Sequence, residues 1–150
     1  MKRSFLLLFL IMFSLPSLSG PRYEPNKDWK VTRIGKAFFL VNKKDRKLRY
    51  PLDDVVGEWA SFLGIEKIRG KNIQLLVYYS DSLGTSEIAE IFNAVVYSPS
   101  QKKFYGKFPY RVRYIKGKKQ DVIEYASFRF DRDHFEVTDK ALGLKKKVKY

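Results

Sequence analysis

Residues 103–130 read KFYGKFPYRVRYIKGKKQDVIEYASFRF, and this stretch decides the fold expected of the chain. Phe104, Phe108, Tyr110, Val112 and Tyr114 share one parity, and Lys103, Lys107, Arg111 and Arg113 share the other. Successive side chains of a strand point to opposite faces. The pattern therefore predicts a strand over 104–115 with an aromatic face and a cationic face. Pro109 withholds one ladder donor and places an edge or a bend there. Lys116-Gly117-Lys118-Lys119 reads as a hairpin tip and 122–130 as its partner strand.

Working outward, 131–133 turns the chain into a short strand over 135–138, and 144–150 makes a last edge strand. Upstream, Ser98-Pro99-Ser100-Gln101 is a turn, and 73–79 is a near-continuous apolar run, the signature of a strand covered on both faces. Aromatic and β-branched segments at 29–34, 36–41 and 47–52 are separated by Gly35 and the polar stretch 42–46, so a meander begins at Trp29.

Two segments carry helical spacing. Asp53 or Asp54 can cap a helix over 53–63, with Val55, Val56, Trp59, Phe62 and Leu63 on one face and Gly64 ending it. Ile88, Ile91 and Phe92 fit a second short helix over 85–92, although the same residues suit a strand running on through Val95, Val96 and Tyr97. The expected fold is α+β: a twisted, meander-like antiparallel sheet or half-barrel with a helix at 53–63 and room for another at 85–92. Its core should include Trp29, Phe39, Val41, Val56, Trp59, Phe62, Leu63, Leu75, Val77, Phe92, Val96, Phe108, Tyr110, Val112 and Phe128.

The amino terminus has the three-part layout of a cleavable export signal over residues 1–19. Lys2 and Arg3 are followed by an apolar run over 5–15, Pro16, and small residues at Ser17 and Ser19. The run is shorter than the about 20 residues that span a bilayer. Export to a periplasm or to the outside is the expectation. Residues 20–28 then form an extended lead-in, and 29–150 a single domain. The 150-residue chain has no cysteine, which excludes disulfides, thiolate zinc sites and cysteine nucleophiles. With 45% hydrophobic residues it can hold together by packing.

The formal charge is +14. Residues 91–120 contain no Asp or Glu and eight Lys and Arg. Surface charge is normally of mixed sign, so this stretch is the candidate binding surface. Lys103, Lys107, Arg111 and Arg113 form its row, with Lys116 and Lys118 at the rim. Arg grips phosphates or carboxylates through paired donors and Lys supplies point charge. The expected function is therefore non-enzymatic binding of an anionic partner by an exported protein. Suitable partners are an anionic glycolipid, phospholipid head groups met by peripheral membrane contact, a wall polymer or an acidic protein. Export makes nucleic acid a poor fit.

The alternative is an envelope assembly component that recognises another protein by strand addition. A third reading, a small outer-membrane barrel, draws on the carboxy-terminal Tyr150. Against it, 122–130 carries Glu124 on one parity and Arg129 on the other, where a barrel strand needs one apolar parity. His134 is the only histidine, so a multi-histidine metal site is excluded within one chain. The loop 80–86 lacks the Gly-Lys-Ser/Thr ending of a phosphate loop. No catalytic constellation, metal site or cofactor is expected.

Overall fold

Strand β5 (Gln74–Ser80) has large apolar side chains on both parities, and the architecture follows from covering both of them. The computed structural model describes residues 22–55, 59–80, 88–118 and 120–150. The expected signal segment, 1–19, lies outside the described residues. Among the described residues eleven strands form three antiparallel sheets, each a meander in chain order. An amino-terminal sheet holds β1 (Trp29–Ile34), β2 (Ala37–Asn42) and β3 (Arg49–Leu52). A central sheet runs through β4 (Ala60–Lys67), β5, β6 (Ile88–Ser98), β7 (Lys103–Lys116) and β8 (Gln120–Tyr125). A carboxy-terminal sheet holds β9 (Ser127–Phe130), β10 (His134–Asp139) and β11 (Leu144–Lys149).

The central sheet is the middle of three layers. Leu76 and Tyr78 of β5 and Val95 and Tyr97 of β6 pack with Trp29, Leu40 and Leu52 of the amino-terminal sheet. The opposite parities, Leu75, Val77, Ala94 and Val96, pack with Phe135 and Val137 of β10. Each Val, Leu or Phe among them taken fully out of water contributes about 1.5–3 kcal/mol. The apolar run at 73–79 is thus buried on both faces, as its composition implies.

The α+β expectation is corrected: among the described residues there is no helix. Asp53 and Asp54 lie in a turn, and Ala60–Lys67 is strand β4, paired with β5. Residues 56–58 lie outside the described residues. Phe62 and Leu63, the end of the expected helical stripe, belong to this strand, whose apolar residues lie on both parities, a pattern that periodicity alone does not separate from a helix. A bulge between Phe62 and Gly64 adds to the ambiguity, turning Phe62 and Ile65 toward one core and Leu63 toward the other. Trp59, expected in the core, is 55% exposed. The second helical segment is corrected too. Ile88, Ile91 and Phe92 pair with Tyr114, Val112 and Arg111 of β7, and 85–87 lie outside the described residues.

Gly64 does not end a helix. It leaves room for the lead-in, whose Glu24 exchanges both backbone hydrogen bonds with Ile65, at 2.9 and 2.8 Å. A Cβ on Gly64 would lie 2.3 Å from the Glu24 carbonyl oxygen. At the other end, Ala126 bends the chain from β8 into β9 and donates its N–H to the Tyr110 carbonyl at 3.0 Å. The strands form three sheets in linear order among the described residues, whereas a membrane barrel closes one sheet on itself.

Gly64→Ala should lower stability by about 1–3 kcal/mol, the usual cost of forcing atoms into a filled space. Urea unfolding reads this as a lower midpoint at an unchanged slope. An unaltered midpoint would mean that the lead-in does not cross β4 in solution.

Candidate functional site

The row of cations foreseen on β7 does not lie on one face. Cross-strand partners share a face. Lys107 lies opposite Val95, on the side of the amino-terminal sheet, whereas Arg111 lies opposite Phe92, which packs toward the carboxy-terminal sheet. A register shift between Phe92 and Asn93 separates them, and a second, between Val96 and Tyr97, separates Lys107 from Lys103. Gly106, with φ +127°, sits at the second shift. Each extra residue flips the parity downstream. Phe104 accordingly packs on Trp29 and Tyr97, while Tyr105 packs on Phe135 and Tyr150.

Three of the row's cations have carboxylate partners from neighbouring segments. Lys107 pairs with Asp53 and, at 2.9 Å, with Asp54. Arg111 pairs with Glu90 and lies 3.8 Å over the Phe92 ring. Arg113 reaches Asp121 at 3.2 Å and Glu90 at 3.9 Å. Glu90 and Asp121 are the acids bounding the acid-free window, and the β6–β7–β8 hairpins fold them back onto it. Lys103 lies 4.7 Å over the Tyr105 ring. Lys116 and Lys118 are exposed at the β7–β8 hairpin.

Asp54 is the hub of a polar cluster between the two sheets. It accepts hydrogen bonds from the Tyr78 hydroxyl at 2.8 and 3.0 Å, the Asn93 amide at 3.2 Å and the Lys107 ammonium. Burial, then the charge and hydrogen bond of Asp54, push the Tyr78 hydroxyl far above its ordinary pKa. Burial of Lys107 alone would lower its pKa, but the two aspartates outweigh this and raise it. The hydrogen bond and charge of Lys107 hold Asp53 below the usual carboxylate range. The Asp53 pairing therefore acts at neutral pH and is lost as pH falls through that depressed value. These groups satisfy one another and latch the 53–55 turn to the central sheet.

Uncompensated charge collects instead on the outer face of the amino-terminal sheet. Residues 22–52 hold ten Lys and Arg against three Asp and Glu, whereas 53–125 hold eleven against nine. In the sheet register Lys30, Val41 and Arg49 form one cross-strand row, and Thr32, Phe39 and Pro51 the next. These face away from Leu40 and Leu52, which enter the core. Lys30, Lys43, Arg46 and Arg49, with Thr32, Ile34 and Val41, line a cleft of about 460 Å³. Val41 is only 4% exposed although it faces outward, so it forms the cleft floor beneath the stems of flanking cations. Arg49 lies 5.4 Å over the Phe39 ring.

None of these four cations is within ion-pair distance of a carboxylate among the described residues. The nearby acids are engaged elsewhere, Asp28 by Lys44 at 2.9 Å and Asp45 by Lys102 at 3.4 Å. The sequence of this face has no acid-free window as long as 91–120, because Asp28 and Asp45 interrupt it. Charge excess per segment, together with the alternation at 29–34, would have marked it.

His134 is clasped by its own turn, with Nδ1 2.6 Å from Asp133 and Nε2 3.1 Å from Asp131. Among the described residues no group of three or more His, Asp or Glu side chains is placed to hold a metal ion. Lys145, Lys147 and Lys149 are exposed on β11, opposite Thr138, Glu136 and His134.

Charge reversal at Arg111 and Arg113 separates a structural from a binding role. Arg111→Glu with Arg113→Glu should destabilise the fold by about 2 kcal/mol, because Glu90 then faces like charge in a site where the Arg111 side chain is 20% exposed. Thermal unfolding checks this. A midpoint equal to that of the unaltered protein would mean that these cations are available to a partner.

Compared with known proteins, the chain matches no family model, no curated protein and no solved structure at a significant level.

Proposed function

We propose that this is a non-enzymatic protein that binds an anionic partner through the outer face of the amino-terminal sheet. The observation that carries this reading is the cleft over Val41, where Lys30, Lys43, Arg46 and Arg49 converge with no carboxylate within ion-pair distance among the described residues. Burying the apolar faces of three layers does not require four like charges around one cleft. Like charges held together disfavour one another, and an anion relieves that cost. Arg46 and Arg49 offer planar paired donors, while Lys30 and Lys43 add charge that adapts to the shape of the anion. The chemistry of this face is that of holding charge.

The sequence pattern at 1–19 supports export, so the reading is of a protein acting in a periplasm or outside the cell. An anionic glycolipid, a phospholipid head group, a wall polymer or an acidic protein surface all suit the cleft in charge. Lys103, Lys116 and Lys118 can add long-range attraction, whereas Lys107, Arg111 and Arg113 are committed to carboxylates. Strand addition is favoured by one feature. The outer edge of β8 is an end of the central sheet and exposes Ile123 to 54%.

Lys30→Glu with Arg49→Glu should weaken binding to inorganic polyphosphate at least tenfold while leaving the thermal midpoint unchanged, since both side chains are exposed. Affinity of the unaltered protein should also fall steeply between low and physiological salt. Main-chain strand pairing predicts the reverse, a contact insensitive to salt and to these substitutions. Equal polyphosphate affinity in the double variant would remove the cleft from consideration.

A further inference from the structure

The outer face of the amino-terminal sheet is amphipathic along its strands as well as cationic. Beyond the row of Lys30, Val41 and Arg49 the register brings Thr32, Phe39 and Pro51 together, then Ile34 opposite Ala37. Ile34, Ala37 and Pro51 are exposed, and Ile34 is 44% exposed at the β1–β2 turn. From Lys30 to Ile34 is four residues, about 13 Å along the strand. Arg33 and Lys36 are exposed beside the tip. One end of the face therefore carries cations and the other an apolar hairpin tip.

A soluble polyanion has no use for that tip. An anionic bilayer matches both ends, because phosphates lie at its surface and acyl chains begin about 5–10 Å deeper. We infer that this face docks obliquely on a bilayer containing anionic phospholipid. The 34–37 tip enters the acyl boundary, and Lys30, Lys43, Arg46 and Arg49 lie level with the phosphates. Arg33 and Lys36 reach back to the head groups by extending their stems. The inference rests on the anion-binding reading and names the partner that reading leaves open. Each cation neutralised should cost about fivefold in vesicle affinity.

The absence of cysteine supplies a local test. An Ile34→Cys variant carries one unique thiol for a polarity-sensitive fluorophore, and an Ile123→Cys variant places the same label on β8 as a control. Labels at both positions are read with phosphatidylcholine vesicles lacking or containing phosphatidylglycerol. The expected result is a blue shift at position 34 with anionic vesicles only, none at position 123, and loss of the shift with Lys30→Glu and Arg49→Glu. This comparison is local, so vesicle attachment through the apolar run at 5–15 does not imitate it. A label at 34 that stays in water, or responds equally to neutral vesicles, overturns the bilayer inference. If polyphosphate still binds through Lys30 and Arg49 in that case, the anion-binding reading stands and a soluble polyanion is the partner. If neither vesicles nor polyphosphate engage these residues, both readings fall.

Discussion

Two-sided burial of β5 and β6 is the constraint on which the rest of the structure depends. An antiparallel sheet can leave one face to water, but these strands carry large apolar side chains on both parities, so both faces need covers. The chain supplies one cover before the central sheet and one after it. Trp29, Leu40 and Leu52 close one side, and Phe135 and Val137 close the other. The crossings at Gly64 and Ala126 follow from this order, since the chain must pass the central sheet's edge on its way in and leave β8 on its way out.

The same constraint sorts the charges. Inner faces of the covering sheets are committed to the core, and the middle sheet meets water at its ends and edges. Cations at those ends, Lys107, Arg111 and Arg113, are partly buried and would be costly alone, and each has a carboxylate within reach. Outer faces of the covers escape this requirement. The amino-terminal cover, with short strands and a basic β2–β3 loop, therefore carries most of the uncompensated charge. Its position is held by the apolar inner face and by the Asp54 cluster, so the cations around Val41 sit on a supported surface.

Bulges determine which cations go where. The extra residues near Gly106 and Tyr110 each turn the strand over. A straight reading of β7 puts four cations in one row. The bulged strand sends Lys107 to the Asp53–Asp54 turn and Arg111 to Glu90, and it puts Phe104 in the opposite core from Phe108, whose parity it shares. A local departure of one residue thus converts what reads as a binding face into a set of internal ion pairs.

Local pattern alone was enough for several parts of the molecule. Alternation and turn residues mark the three amino-terminal strands, the β7–β8 hairpin with Gly117 at its tip, and the last two strands. The near-continuous apolar run at 73–79 marks a strand covered on both faces. The absence of cysteine and the charge of +14 are likewise properties of the sequence. Tertiary structure alone decided that 60–67 and 88–92 are strands. The apolar residues of 60–67 serve two cores at once, and two-sided burial erases the period that distinguishes strand from helix, while Ile88, Ile91 and Phe92 are strand through their pairing with β7. It also decided which cations are neutralised, because Asp53, Asp54, Glu90 and Asp121 reach β7 only when the sheet forms. Charge along a chain is a local property, but charge on a surface is what remains after folding has brought its partners together.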